Sequence, residues 1–177
     1  MSAPPAASPE VGSTPAPAAA PVASPAASPA AAPAAPVVAA PAPTAGIASA
    51  DGDTPGSTVT IKELKRQSGG TISLKFVIAN GSDKNIGIGD SFGDPDHGNV
   101  DYYSMGGVQL IDPVGKKKYF VARDSEGKAV CTQGAHAIEK GSSLNGWAKF
   151  PAPPDDVQKI SVIVPHFGPM DDVPISR

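Results

Sequence analysis

The sequence predicts an all-β fold: an Ig-like antiparallel β-sandwich of about seven to eight strands, preceded by a disordered Ala/Pro-rich tail. Three observations predict it. From Ser57 onward, apolar residues alternate with polar ones in short runs. Clusters of Gly, Asn, Asp, Ser and Pro punctuate those runs and read as turns. No segment carries the period of a long amphipathic helix.

The chain of 177 residues is made of two materials. Residues 1–56 read as a linker, and residues 57–177 as one sandwich domain. The first fifty residues are mostly Ala and Pro, and all nine aromatic residues lie between Phe76 and Phe167. A segment so poor in apolar variety cannot offset the entropy of ordering. Proline recurs at Pro17, Pro21, Pro25, Pro29 and Pro33, which forbids a helix and favours polyproline-II-like extension. Asp51 to Gly56 reads as a loop-like lead-in.

The strands follow in order. Val59 and Ile61 alternate with Thr58, Thr60 and Lys62, and Leu64 breaks the phase, which predicts a bulge. Ser68-Gly69-Gly70 turns the chain into Ile72, Leu74, Phe76 and Ile78, the cleanest alternation present. Asn80 to Asp83 is a further turn, and Ile86 and Ile88 mark a short strand. Asp90 to Gly107 is irregular. Val108 and Leu110 lead into the turn Asp112-Pro113-Val114-Gly115, and Tyr119 to Arg123 returns. Asp124 to Gly127 turns again before Ala129 to Thr132, while Ala135 to Lys140 is open to a helical turn or a loop. In Ser143 to Phe150, Leu144, Ala148 and Phe150 share one face, and Trp147 and Lys149 share the other. The Trp147 ring is expected on a covered face. Pro151, Pro153 and Pro154 end that strand, because proline cannot donate to a ladder. Ile160, Val162 and Val164 form the last strand, and a coil is expected from Gly168.

Three stretches together, VTIKELKRQSGGTISLKFVIANGSDKNI, GVQLIDPVGKKKYFVARDSEGK and WAKFPAPPDDVQKISVIVP, resemble the Ig-like domains of bacterial secreted proteins and lipoproteins, many of unknown function. The resemblance covers most of residues 57–167 and rests on structural motifs. It implies export, a flexible N-terminal tether and often a lipid on an N-terminal cysteine. Met1 stands at that end here, so a lipid anchor at a processed N-terminus is implied by the resemblance alone.

Charge and cysteine narrow the function classes. The net charge of −3 has no basic stripe, which argues against nucleic acid as a partner. One cysteine, Cys131, rules out an intrachain disulfide framework. No basic n-region with an apolar h-region is present in the sequence. The chain is therefore either cytoplasmic or an exported one whose signal is not part of this sequence, and the tail favours an extracytoplasmic protein of the cell envelope or medium.

Candidate chemistry is sparse. Asp94-Pro-Asp96-His-Gly98-Asn99 echoes the start of a calcium loop, and Asp94, Asp96 and Asp101 are the weak metal candidates. The bidentate Glu of an EF-hand is missing, because Met105 stands at position twelve. The reading preferred is a solvated loop that uses Asp, Asn and Gly for turn geometry, with no metal and no cofactor. Cys131 and His136 lack the orienting group and oxyanion site of a nucleophilic pair, so no catalytic residues are assigned. Tyr102, Tyr103 and Met105 are the partner-binding candidates, since loops on rigid sandwiches often carry recognition. The expected function is a non-enzymatic, monomeric module that binds a protein or a cell-envelope component. The alternative is a small metal-dependent hydrolase built on the Asp90–Asp101 loop.

Overall fold

A computed structural model describes residues 45–89 and 91–177, and of residues 98–100 only the backbone is described. The tail expected to be disordered, through Thr44, and any role of Asp90 lie outside the described residues.

Two antiparallel four-stranded sheets make an all-β sandwich. The first has the order β1 (Ala48–Asp51), β2 (Ser57–Gln67), β3 (Thr71–Asn80) and β8 (Ser143–Pro151). The second has the order β10 (Met170–Pro174), β9 (Lys159–Ile163), β5 (Gln109–Asp112) and β6 (Lys117–Phe120). β4 (Ile86–Gly87) and β7 (Ala137–Ile138) form a small ribbon at one side. Residues 130–132 hydrogen-bond to the free edge of β8: Thr132 N–H donates to the Trp147 carbonyl at 2.9 Å, and Lys149 N–H donates to Val130 at 3.0 Å. With that segment counted, the two sheets follow the A-B-E-D and C′-C-F-G orders of an immunoglobulin-type sandwich, with β1 added at the outer edge.

Period-two alternation decides which side chains enter the core. Val59, Ile61, Leu64, Ile72, Leu74, Phe76, Ile78, Ala148 and Phe150 project inward from the first sheet. Leu110, Ile160, Val162, Met170 and Val173 come from the second. Each fully buried large side chain contributes about 1.5–3 kcal/mol by leaving water. The break in phase at Leu64 is a bulge: the β2–β3 register shifts between Ile61 and Glu63, which returns Leu64 to the core. Asn80 ends β3 from within, its buried amide donating to the carbonyls of Lys84 (2.8 Å) and Ile138 (2.9 Å).

Four expectations are corrected. The sandwich begins ahead of Ser57, because Ala48–Asp51 pairs with β2 from Ala48↔Ile61 to Asp51↔Thr58. Its small alternating residues suit a short edge strand but carry no strong apolar signal. The segment after Gly168 is a strand, held by Met170↔Val162 and Val173↔Ile160. Residues 135–140 include β7, which pairs with β4. Trp147 lies on the outer face of the first sheet and is 41% exposed, because the alternation that buries Ala148 and Phe150 turns it outward.

Candidate functional site

The irregular segment between β4 and β5 is pinned at both ends by apolar anchors. Ile88 and Phe92 are buried at one end, and Met105 and Val108 at the other. Between them runs a 3-10 helix, Pro95–Asp101. The Asp94 carboxylate caps its start by accepting from the Asp96 N–H at 3.0 Å, the usual service of an Asp before a helical turn. The Asp101 carboxylate in turn accepts from the Asp94 N–H at 3.2 Å, so the segment folds back on itself.

Arg123, just beyond β6, closes the arrangement. Its Nη2 donates to Asp101 Oδ2 at 2.7 Å and to Asp94 Oδ2 at 3.1 Å. Its Nη1 donates to Asp101 Oδ1 at 3.1 Å and to the Gly127 carbonyl at 2.8 Å. Asp101 is 1% exposed, and a charge at that depth needs such a fork-to-carboxylate partner. His97 Nδ1 lies 3.0 Å from Asp94 Oδ2 and extends the network to the surface. Burial works against the charged form of Asp94. The Asp96 N–H, the Arg123 guanidinium and His97 outweigh it and hold the carboxyl below its ordinary value. The Asp101 carboxylate raises the Arg123 pKa against the opposing effect of burial, with Asp94 adding to it.

Asp94, His97 and Asp101 present ligand atoms within 4.8 Å of one another, as a metal site would. The carboxylate oxygens are already engaged, however. Both oxygens of Asp101 and one of Asp94 bond to the guanidinium, and a divalent cation would have to displace it. Asp96, the third metal candidate, offers its backbone N–H to the cap, and its residue is exposed. The echo of a calcium loop is thus a capped turn with a cationic partner from another hairpin.

The partner-binding candidates separate. Tyr102 is 44% exposed and Tyr103 half-buried, with ring centroids 4.3 Å apart and planes at 76°. Tyr103 also stands 4.1 Å from the ring of exposed His136. Its backbone has φ +61°, a left-handed conformation that costs a non-glycine residue on the order of 1–3 kcal/mol. Two bonds hold it there: Tyr103 N–H donates to Gly89 at 2.8 Å, and its carbonyl accepts from Ala135 N–H at 3.2 Å. Met105 does not belong to this surface. It is fully buried, its N–H bonded to the Thr132 carbonyl at 3.1 Å and its side chain in the core, so its assignment as a contact residue is corrected.

The remaining candidates sit in packing or turn positions. Cys131 is 3% exposed, and burial pushes its thiol pKa up despite a bond from the Met105 N–H. A thiol so placed is not an activated nucleophile. His136 faces the tyrosines and His166 packs on Phe92 at 5.3 Å between ring centroids. Lys116, Lys117 and Lys118 are exposed at the β5–β6 turn, where Asp112 accepts the Val114 and Gly115 N–H groups. Two contributors were not identified in the sequence. Arg123 lies 22 residues from Asp101, and nothing local announces the pair. His136 joins the tyrosines only through the β4–β7 ribbon.

No family model, no curated protein and no solved structure matches the chain.

Proposed function

We propose that this protein is an exported, tethered, non-enzymatic binding module that recognises a protein or cell-envelope component through Tyr102, Tyr103 and His136. One observation carries the reading. Tyr103 is held in a strained backbone conformation by hydrogen bonds to two separate segments, and the result is a displayed cluster of edge-on and tilted rings rather than a better-filled core. Strain of that kind concentrates where a surface is pre-formed for a partner. Tyrosine suits such a surface, since it offers large area, few rotatable bonds and a polar tip. The guanidinium lodged among the carboxylates supports a positional role for the acidic segment rather than a hydrolytic one. The similarity to exported Ig-like domains and the Ala/Pro-rich tether support the placement outside the cytoplasm.

The test is capture of partners from envelope extract by the full chain and by the double variant Tyr102→Ala/Tyr103→Ala. Loss of a partner at an unchanged unfolding midpoint is the expected result. Full retention of the partner, or loss of stability alone, would mean that these rings are structural.

A further inference from the structure

Among the described residues three carboxylates are buried, those of Asp94, Asp101 and Asp112. The first two share the Arg123 guanidinium. Asp112 is 3% exposed and forms no ion pair with a described residue. Its Oδ1 holds the β5–β6 turn, accepting the Val114 N–H at 3.0 Å and the Gly115 N–H at 2.9 Å. Its Oδ2 accepts no hydrogen bond from a described residue. A buried charge is costly unless it is paired as well as hydrogen-bonded, so the free oxygen marks an unfilled place. Gly115 keeps the carboxylate there, because a Cβ at that position would strike Oδ2.

Asp112 lines a cavity of about 480 Å³ between the β5–β6 turn and residues 154–159. Pro113, Val114, Pro154 and Val157 supply apolar walls, and exposed Asp156 supplies a second carboxylate. Tyr119 of β6 lies close by. Its hydroxyl is shielded from solvent without a hydrogen-bond partner, and burial together with the Asp112 charge pushes its pKa up. The neighbouring cations are engaged elsewhere. Arg66 donates to the carbonyls of Pro153 (2.6 Å), Pro154 (2.8 Å) and Val157 (2.8 Å), and it stands 3.6 Å from Asp155. Lys159 pairs with Asp172 at 3.7 Å. Lys117 stands opposite Asp112 in the ladder, yet Lys117 is exposed and the two side chains form no ion pair.

We propose that this cavity binds a primary alkylammonium group, with the ammonium on Asp112 Oδ2 and the alkyl stem along Pro113, Val114, Pro154 and Val157. The free acceptor selects the ligand. One oxygen is open, which suits a single strong N–H donor, whereas a guanidinium fork needs both oxygens of a carboxylate. A calcium ion takes about six to eight oxygens, far more than this wall presents. Apolar walls beside one buried acceptor match a methylene stem with a charged head. Asp156 at the rim takes a second N–H of the ammonium, which has three to give. The same group arrives on a free amine or on a lysine side chain of a polypeptide. The site shares no residue with the Tyr102–Tyr103 surface.

The experiment is titration of the full chain with n-butylammonium chloride at constant ionic strength, followed by amide NMR. Val114 and Gly115 report, because their N–H groups sit on the other oxygen of the same carboxylate. The expected result is a saturable shift of both amides, with a Kd on the order of a few millimolar. Asp112→Asn keeps the Oδ1 acceptor of the turn and should weaken binding at least about tenfold. Should that variant lose its fold, Asp156→Asn at an exposed position should weaken binding about threefold. Nα-Acetyl-L-lysine methylamide separates the two sources: tighter binding than butylammonium assigns a polypeptide lysine, and equal binding a free amine. Equal shifts with n-butanol, which has the shape without the charge, overturn the proposal. So does a titration that never saturates, since the turn N–H groups would then suffice for the carboxylate. Binding that appears only in Lys117→Gln overturns it as well, because Lys117 would then be the cation that Asp112 takes in solution.

Discussion

The β2–β3 hairpin and the segment from Ile88 to Val108 both deliver apolar side chains to the same core, and they are held by different physics. The hairpin is paired residue by residue from Ser57↔Asn80 to Gln67↔Thr71, with one bulge. Its stability is spread over a ladder and a period, and no one contact decides it. The irregular segment has no ladder. Its shape depends on a few charged groups that converge from distant positions, chiefly Asp94, Asp101 and Arg123. Distributed order is written in local sequence. Concentrated order is not.

The largest expected effect tests the distributed half. Phe76→Ala should cost about 3–5 kcal/mol through lost burial and the cavity left behind. A loss below about 1 kcal/mol in chemical denaturation would contradict the placement of that face between the sheets. The concentrated half is tested next. Arg123→Ala leaves Asp101 buried without its cation and should cost about 3 kcal/mol, the low end for such pairs, since Arg123 keeps 18% of its side-chain exposure. Hydrogen exchange sharpens the contrast: amides of residues 92–107 should speed up far more than those of β3. Uniform acceleration would mean that the two regions unfold as one.

Acid probes the same network more gently. The Asp94 carboxyl is held below its ordinary value of about 3.9, so its contribution is fully present above that pH. It is lost as pH falls through the depressed value, when the carboxylate gains a proton and releases Arg123 and His97. Asp94→Asn should therefore flatten the acid limb of the stability profile, and an unchanged limb would assign it to other carboxylates. The smallest expected signal is calcium binding. Calorimetric titration should detect nothing tighter than roughly millimolar, because the guanidinium occupies the carboxylates. Micromolar affinity abolished by Asp94→Ala would show that the cation displaces Arg123.

What could be read in advance follows the same division. Alternation placed the faces of β2, β3, β8 and β9 because side-chain direction in a strand has a fixed period of two. β1 escaped, since Ala48, Ser49, Ala50 and Asp51 carry too little apolar contrast to mark a face. β10 escaped because Asp171 and Asp172 interrupt its pattern, and Asp172 takes a positive φ within it. Tyr102 and Tyr103 stood out in a glycine-rich setting, but the sequence left open whether their rings are displayed or folded back; Tyr102 is exposed and Tyr103 half-buried. Arg123 was not, because a salt bridge between two turns leaves no period and no spacing to find.

The crossing near Ser176 has a consequence for how the molecule is made. Ser176 leaves the second sheet and bonds to β2 of the first, its N–H donating to Leu64 at 2.8 Å and its carbonyl accepting from Arg66 N–H at 2.9 Å. Those partners lie 112 residues apart, from Leu64 to Ser176. During synthesis, β2 can pair with β1 and β3 within seconds of their emerging from the ribosome, yet its other margin beyond β1 stays open until the far partner has been translated. Closing so long a loop is slow as well as late. For that interval a nascent chain shows the Leu64–Arg66 part of that margin, the part that β1 does not cover, to its neighbours. A chain stalled before Ser176 should be the form of this protein that chaperones and proteases meet most often.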